Sequence, residues 1–135
     1  MREMHKALVR RYRDEFFNLG RFDIADELFP NVLIHHGDET TVQEMVGIAH
    51  AWRTAIPDIK FTIQTVVSEG DYVAEYTHTT GMHEGELFGI PATGKYVDIT
   101  LAHFYRFEGG KIVEISGMID RYAFYHQLGI LAMTD

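Results

Sequence analysis

The chain contains no cysteine, only three prolines and a single tryptophan in 135 residues. Without cysteine there are no disulfides, no thiolate nucleophile and no zinc–thiolate site. Long apolar runs are also missing. No stretch approaches the roughly 20 residues that a membrane-spanning helix needs, and the opening Met1-Arg2-Glu3-Met4-His5-Lys6 lacks the apolar centre of a signal peptide. A soluble, cytoplasmic protein is expected. Positive charge is scarce: 12 Lys and Arg stand against 20 Asp and Glu, for a formal net charge of −8. That balance argues against nucleic acid and anionic membranes as partners. The basic positions near the start, Arg2, Lys6, Arg10, Arg11 and Arg13, interleave with Glu3, Asp14 and Glu15, the pattern of a solvated helix face. What remains, 46% apolar and 24% charged residues, is an ordinary globular composition for one domain over residues 1–135.

Hydrophobic periodicity divides the chain into helices first and strands afterwards. Met4, Leu8, Tyr12, Phe16 and Leu19 recur every three or four residues, predicting an amphipathic helix over 3–19 with arginines on its other side. Asp23 can cap a short helix ending at Phe29 and Pro30. Residues 31–36 read as a short strand. Thr41-Val-Gln-Glu44 is a capping box opening a third helix, with Val42, Met45, Val46, Ala49, Trp52 and Ile56 on one stripe. From residue 59 the period changes to two. Strands are predicted over 59–68, 72–82, 97–107 and 111–119, the last two joined at Gly109-Gly110, and a closing helix over 121–131. This order implies an α+β fold with helices on one face of an antiparallel sheet, an arrangement that can enclose a cavity.

If Gly109 and Gly110 form the loop, Glu108 pairs with Lys111. Counting outward, Tyr105 then faces Glu114, His103 faces Ser116, Leu101 faces Met118 and Ile99 faces Asp120, all on one sheet face. Polar groups on a mostly apolar face suggest a ligand pocket. This register separates His103 from Asp120 by roughly 13 Å along the strand, so the two would touch different parts of one substrate.

Four stretches, ALVRRYRDEFFNLGRFDIADELF, GMHEGELFGIPATGKYVDI, FYRFEGGKIVEISGMID and YHQLG, together resemble the SnoaL-like polyketide cyclases of the nuclear-transport-factor-2-like superfamily. The resemblance runs through nearly the whole chain. It implies a cone of about three N-terminal helices on a strongly curved antiparallel or mixed β-sheet, a short C-terminal helix, a cofactor-free internal site and a homodimer formed through the sheet. It also implies an aspartate at the end of the last long strand acting as acid/base in an intramolecular aldol closure, and Asp120 stands there. Where the family usually carries a bulky tryptophan four residues earlier, this chain has Ser116. Thr77 stands at another common tryptophan position, with His78 beside it.

Asp120 has two readings. An aspartate directly before a helix is a preferred cap, which lowers its pKa and makes it a poor base. As a base it would need an apolar surrounding, which Trp52, Ile99, Met118, Tyr122 and Phe124 could supply. His103 is the second catalytic candidate, polarising a carbonyl or protonating an alkoxide. His36, Trp52, His83, Leu101, Ser116, Met118, Tyr12 and Phe16 are the expected substrate-binding residues. Strand alternation allows only one of His35 and His36 into the pocket. His5, His50 and His126 lie on predicted helices and read as surface or structural. Arg121 reads as the solvent-facing start of the last helix; limonene-epoxide-hydrolase-like enzymes of the superfamily activate water with an Asp–Arg–Asp set plus tyrosine and asparagine, and the adjacent Asp120–Arg121 pair matches only a fragment of that set. Gly89-Ile-Pro-Ala-Thr-Gly94-Lys95 mimics a P-loop, but Tyr96 follows and a strand comes next, so no helix N-terminus meets a phosphate. Eight histidines invite a metal, yet His78 and His83 lack a completing carboxylate, and no metal or cofactor is expected.

The reading is a cofactor-independent enzyme that uses Asp120 for aldol-type cyclisation or isomerisation of a small, largely apolar carbonyl metabolite. The alternatives are a non-catalytic binder of the same fold, or an epoxide-hydrolase-like enzyme that labelled water would reveal. The outer sheet face, expected to carry Ile63, Thr100, Ala102, Phe104, Val113 and Ile115, is apolar enough to predict the homodimer.

Overall fold

The computed structural model describes residues 2–130. Helix α1 (Arg2–Arg11) runs on into a π-helical turn, Tyr12–Phe17. A 3-10 turn (Phe22–Ile24) leads into the short α2 (Ala25–Leu28), then β1 (Val32–His35), β2 (Asp38–Thr41) and α3 (Val42–Ala55). The long strands β3 (Lys60–Glu69), β4 (Tyr72–Met82), β5 (Tyr96–Glu108) and β6 (Lys111–Ile119) follow, and α4 (Arg121–Leu128) closes the chain. All six strands join one sheet in the order β2-β1-β6-β5-β4-β3. The sheet is mixed because β1 pairs parallel with β6, while the other pairs are antiparallel. None of the helices is long and apolar enough to cross a membrane, among the described residues.

The α+β class, the N-terminal helices and the short last helix follow the sequence reading; the strong curvature does not. The sheet is open and not strongly curved. Sharp coiling of a sheet needs bulges or glycine kinks repeated across adjacent strands. Here the register breaks only at Ile63/Thr65 and at Arg106/Phe107, and the central β4–β5 ladder runs from Tyr72↔Arg106 to Met82↔Tyr96 without interruption.

Local chemistry explains the element ends. Thr41 accepts from the Glu44 backbone N–H at 3.2 Å and Glu44 accepts in return from the Thr41 N–H at 3.0 Å, so the capping box forms in full. Glycines at +58° and +77° make the Gly109-Gly110 hairpin, the conformation that a two-residue loop requires. The expected inward stripe of the first helix holds at Leu8, Tyr12 and Phe16 but not at its two ends, and it is broader than expected. His5, Val9, Tyr12, Arg13, Phe16 and Phe17 are buried, while Met4 and Leu19 are exposed. His5 stacks on Phe107 with ring centroids 4.2 Å apart, so it belongs to the core.

The β5–β6 hairpin departs from the simple count. Glu108 pairs with Lys111 and Phe107 with Ile112, but a bulge follows and Arg106 pairs with Glu114. Every later pair is displaced by one: Tyr105↔Ile115, His103↔Gly117, Leu101↔Ile119. Because side chains alternate, one extra residue turns Ser116 and Met118 to the opposite face, where they pair with Phe104 and Ala102. Ile63 and Ile115 move the other way and face the helices, opposite Thr77 and Tyr105. The outer face therefore carries Val67, Tyr72, Tyr76, Phe104 and Met118, all exposed.

Candidate functional site

Between the helical layer and the inner sheet face lies a cavity of about 710 Å³, within the usual range for small-molecule sites. Its apolar wall includes Phe17, Ile48, Trp52, Phe61, Leu101 and Ile115. Phe88 closes one side, its ring 5.5 Å from that of Trp52. The polar lining consists of Tyr12, Arg13, His35, His36, His103 and Arg121.

One ion pair underlies this wall. The side chains of Arg13 and Glu75 are 3% and 0% exposed, and they meet in two bonds, Nε–Oε2 at 2.6 Å and Nη2–Oε1 at 3.1 Å. Thr77 and Tyr105 donate their hydroxyls to the same carboxylate at 2.6 and 2.5 Å. The guanidinium also lies 4.9 Å from the ring centres of both Tyr12 and Phe61. Burial pushes the Glu75 carboxyl up, but Arg13 and the hydrogen bonds outweigh it and hold the pKa at about 2. Arg13 was expected on the solvated face. Its position on the buried stripe was legible from the 3.6 period; its charge argued the other way, and only Glu75, 62 residues along, removes the objection.

His103 rests on this pair. Its Nδ1 is 3.4 Å from Arg13 Nη2 and 4.0 Å from Glu75 Oε1. Burial first, then the neighbouring guanidinium, lowers its pKa to about 3, so the ring is neutral at pH 7. A guanidinium nitrogen can only donate, so Nδ1 accepts and the hydrogen-bond network assigns the ring proton to Nε2. Among the described residues Nε2 has no hydrogen-bond partner. Gly117 lies directly opposite, and a Cβ there would sit 2.2 Å from the Ala102 carbonyl oxygen and 2.9 Å from the His103 ring, so only glycine leaves room.

Both His35 and His36 reach the cavity, where alternation had allowed one. The strand ends between them: His36 adopts φ +52°, its N–H donates to Ile115, and the two rings come to 4.1 Å. Burial, then His36, lowers the His35 pKa to about 4, and burial lowers that of His36.

The other expected site residues divide. Tyr12, Trp52 and Leu101 line the cavity. Met118 also borders it, although it is 74% exposed and its strand pairing belongs to the outer face. Phe16 is in the core behind Tyr12, and Ser116 lies on the outer face; neither is in the lining. His83 is fully buried in the loop before β5. There its Nδ1 accepts from the Thr93 N–H at 3.3 Å and lies 2.9 Å from the Thr93 hydroxyl, so it ties the loop together instead of lining the cavity. Asp120 caps α4, accepting from the Ala123 N–H at 3.0 Å, and it is exposed. Its backbone N–H donates to Thr100, so the residue follows the displaced register and lies beyond the inner face that carries His103. Its neighbours Ile119 and Arg121 both line the cavity, whereas the Asp120 side chain does not. Arg121 starts α4 and is exposed, as expected, and it also borders the cavity.

Buried neutral histidines make stability depend on pH. In the unfolded chain a histidine titrates near its ordinary 6.5; in the fold His103 titrates near 3 and His35 near 4. Below pH 6.5 the unfolded state binds more protons, so stability is complete above that pH and falls as the pH drops towards the folded values. His103 alone is expected to cost about 2 kcal/mol between pH 6.5 and 5. Chemical denaturation across this range checks it: His103→Gln should flatten the profile, and an unchanged slope would contradict the assignment.

An apolar cavity with a neutral His103 at its wall, set between N-terminal helices and a six-stranded mixed sheet, defines an α+β protein with an internal pocket of small-molecule size. The family model for SnoaL-like polyketide cyclases matches residues 7–128, and the chain belongs to that family, within the nuclear-transport-factor-2-like superfamily. Among solved structures, TsrD from Streptomyces laurentii superposes with a TM-score of 0.90 at 22% identity, covering 97% of this chain and 98% of that one. AclR from Streptomyces galilaeus gives 0.83 at 26% identity, with 98% and 100% covered. A SnoaL-like polyketide cyclase from Agrobacterium tumefaciens gives 0.82 at 22%, with 93% and 98% covered. No curated protein matches the chain.

Proposed function

We propose that this chain is a cofactor-independent enzyme that enolises a small, largely apolar carbonyl metabolite for aldol-type cyclisation or isomerisation. The observation that carries the reading is His103: a buried, neutral imidazole at the cavity wall, its Nδ1 held by Arg13 and its Nε2–H left to a ligand. In this reading Nε2–H donates to the substrate carbonyl oxygen. The Asp120 carboxylate, leaving its cap bond and turning toward the cavity, removes the proton from the adjacent carbon. The C–H electron pair becomes the enolate C=C, and the carbonyl oxygen takes the negative charge against His103. The enolate carbon then attacks a second carbonyl of the same molecule, and the resulting alkoxide recovers the proton from Asp120. The apolar walls of the cavity strengthen the His103 bond as charge develops, and folding the substrate against Trp52 and Phe61 lowers the entropic cost of closure.

The test is solvent deuterium incorporation into a panel of aryl 1,3-diketones, followed by mass spectrometry. The wild type should exchange above the buffer rate. Asp120→Asn should lose about 10²-fold or more while its melting temperature holds, since asparagine also caps. Exchange by the variant at the wild-type rate would remove Asp120 from the mechanism. A second reading, a non-catalytic binder, is favoured by the cap bond that Asp120 already makes. It predicts ligand binding unchanged in Asp120→Asn and no exchange by either protein.

Dimerisation through the outer face belongs to the same proposal, because Tyr76, Phe104 and Met118 leave an apolar patch on a lone chain. Light scattering should give twice the chain mass, and Phe104→Glu should halve it; a wild-type monomer at micromolar concentration would reject this.

A further inference from the structure

The cavity is selective in the sign of its polar groups. In a chain with 20 acidic residues, none of the lining side chains is a carboxylate. Every titratable group there is a tyrosine, a histidine or an arginine. The two arginines differ. Arg13 is neutralised from behind by Glu75. Arg121, at the mouth, has no carboxylate within ion-pair distance among the described residues, and its one side-chain hydrogen bond goes to the Tyr125 hydroxyl at 3.4 Å. The carboxylate next to it in sequence, Asp120, bonds the Ala123 N–H and is not part of the lining. An unpaired guanidinium beside neutral hydrogen-bond donors, at the entrance to an apolar chamber, leaves the cavity positive while the molecule as a whole is strongly negative. An apolar ligand with a neutral head would leave that cation unused; an acid would pair with it by a charge-assisted bond.

Resting on the small-molecule reading above, we infer that the cavity takes its ligand as a carboxylate, with Arg121 receiving the acid at the mouth and the apolar body lying against Trp52, Phe61 and Leu101. The ester of the same compound is the weaker ligand. The substrate class is thus an aromatic or alicyclic keto acid, supplied by a reaction that leaves a free carboxylate.

Binding of 4-phenylbutyrate and of its methyl ester to the full chain tests this by calorimetry, with quenching of Trp52, the single tryptophan, placing each ligand in the cavity. The acid should bind about tenfold tighter than the ester. Arg121→Gln should bring the two to parity, and added salt should weaken the acid alone. Lys60→Gln, an exposed cation outside the lining, should preserve the preference. An ester that binds as tightly as the acid, or a preference that survives Arg121→Gln, overturns the carboxylate inference and leaves the cavity reading in place. Binding of neither compound in the millimolar range overturns the small-molecule reading, and the carboxylate inference with it.

Discussion

Replacing Glu75 by leucine should cost about 3–5 kcal/mol, the largest loss of stability expected from any single change in this chain. The side chain removed is fully buried and satisfies four donors at once: two guanidinium nitrogens of Arg13 and the hydroxyls of Thr77 and Tyr105. Leucine would leave the guanidinium charged, 3% exposed and unable to release its proton. Against a total of about 5–15 kcal/mol for a domain, such a loss puts the variant near unfolding, so urea denaturation at low temperature is the suitable measurement. The pair itself need not be strongly stabilising, because desolvating two charges offsets most of their attraction. Arg13→Met combined with Glu75→Leu should therefore recover most of what Glu75→Leu loses. A loss below about 1 kcal/mol in the single variant would show that Arg13 escapes to solvent and that the ion pair does not organise the wall.

Much of the fold was legible because it depends on neighbours in sequence. The capping box at Thr41, the Gly109-Gly110 loop, the asparagine-like role of Asp120 as a cap and the change of period near residue 59 all use interactions within a few residues. The site was less legible because it depends on one extra residue. The run Ile112-Val113-Glu114-Ile115 gives no clear alternation, so nothing local marks the bulge that displaces all pairs beyond Phe107. That slip exchanged Ser116 and Met118 for Ile115, Gly117 and Ile119 on the inner face. Strand β2 escaped notice because Asp38-Glu-Thr-Thr41 is polar, and its backbone pairing with β1 alone makes it a strand. Arg13 and Glu75 were hidden for the opposite reason: each is a charge that only the other permits to be buried, and no local pattern joins positions 62 residues apart. His103 was found because it breaks the apolar alternation of β5, where its neighbours Leu101 and Tyr105 on the same face are buried.

His103→Leu should lower turnover by about 10²- to 10³-fold, the usual cost of removing one donor aimed at developing negative charge, while ligand affinity changes little. The separation of the two effects follows from the geometry. Substrate contact is spread over Trp52, Phe61, Leu101 and the other apolar walls, so the ground state loses one neutral hydrogen bond among many contacts. The enolate oxygen gains charge only as the reaction proceeds, and the bond from Nε2–H strengthens with it, so the loss falls on kcat more than on KM. Leucine removes the donor and leaves the Arg13–Glu75 pair beneath it intact, because the bond to His103 Nδ1, at 3.4 Å, is the longest of the hydrogen bonds around that pair. The substitution also replaces a neutral group by an apolar one, so the fold should survive it at pH 7. His103→Gln is the informative companion: its amide N–H can donate from a similar position, and part of the lost rate should return. A general base at this site would behave differently. An imidazole with a pKa of about 3 is a poor proton acceptor, and a base role would make the rate rise through that low pH. A donor role predicts that kcat is independent of the His103 titration over the neutral range. Deuterium incorporation by the wild type, His103→Leu and His103→Gln between pH 6 and 8 makes the comparison; equal rates in all three would remove His103 from the chemistry.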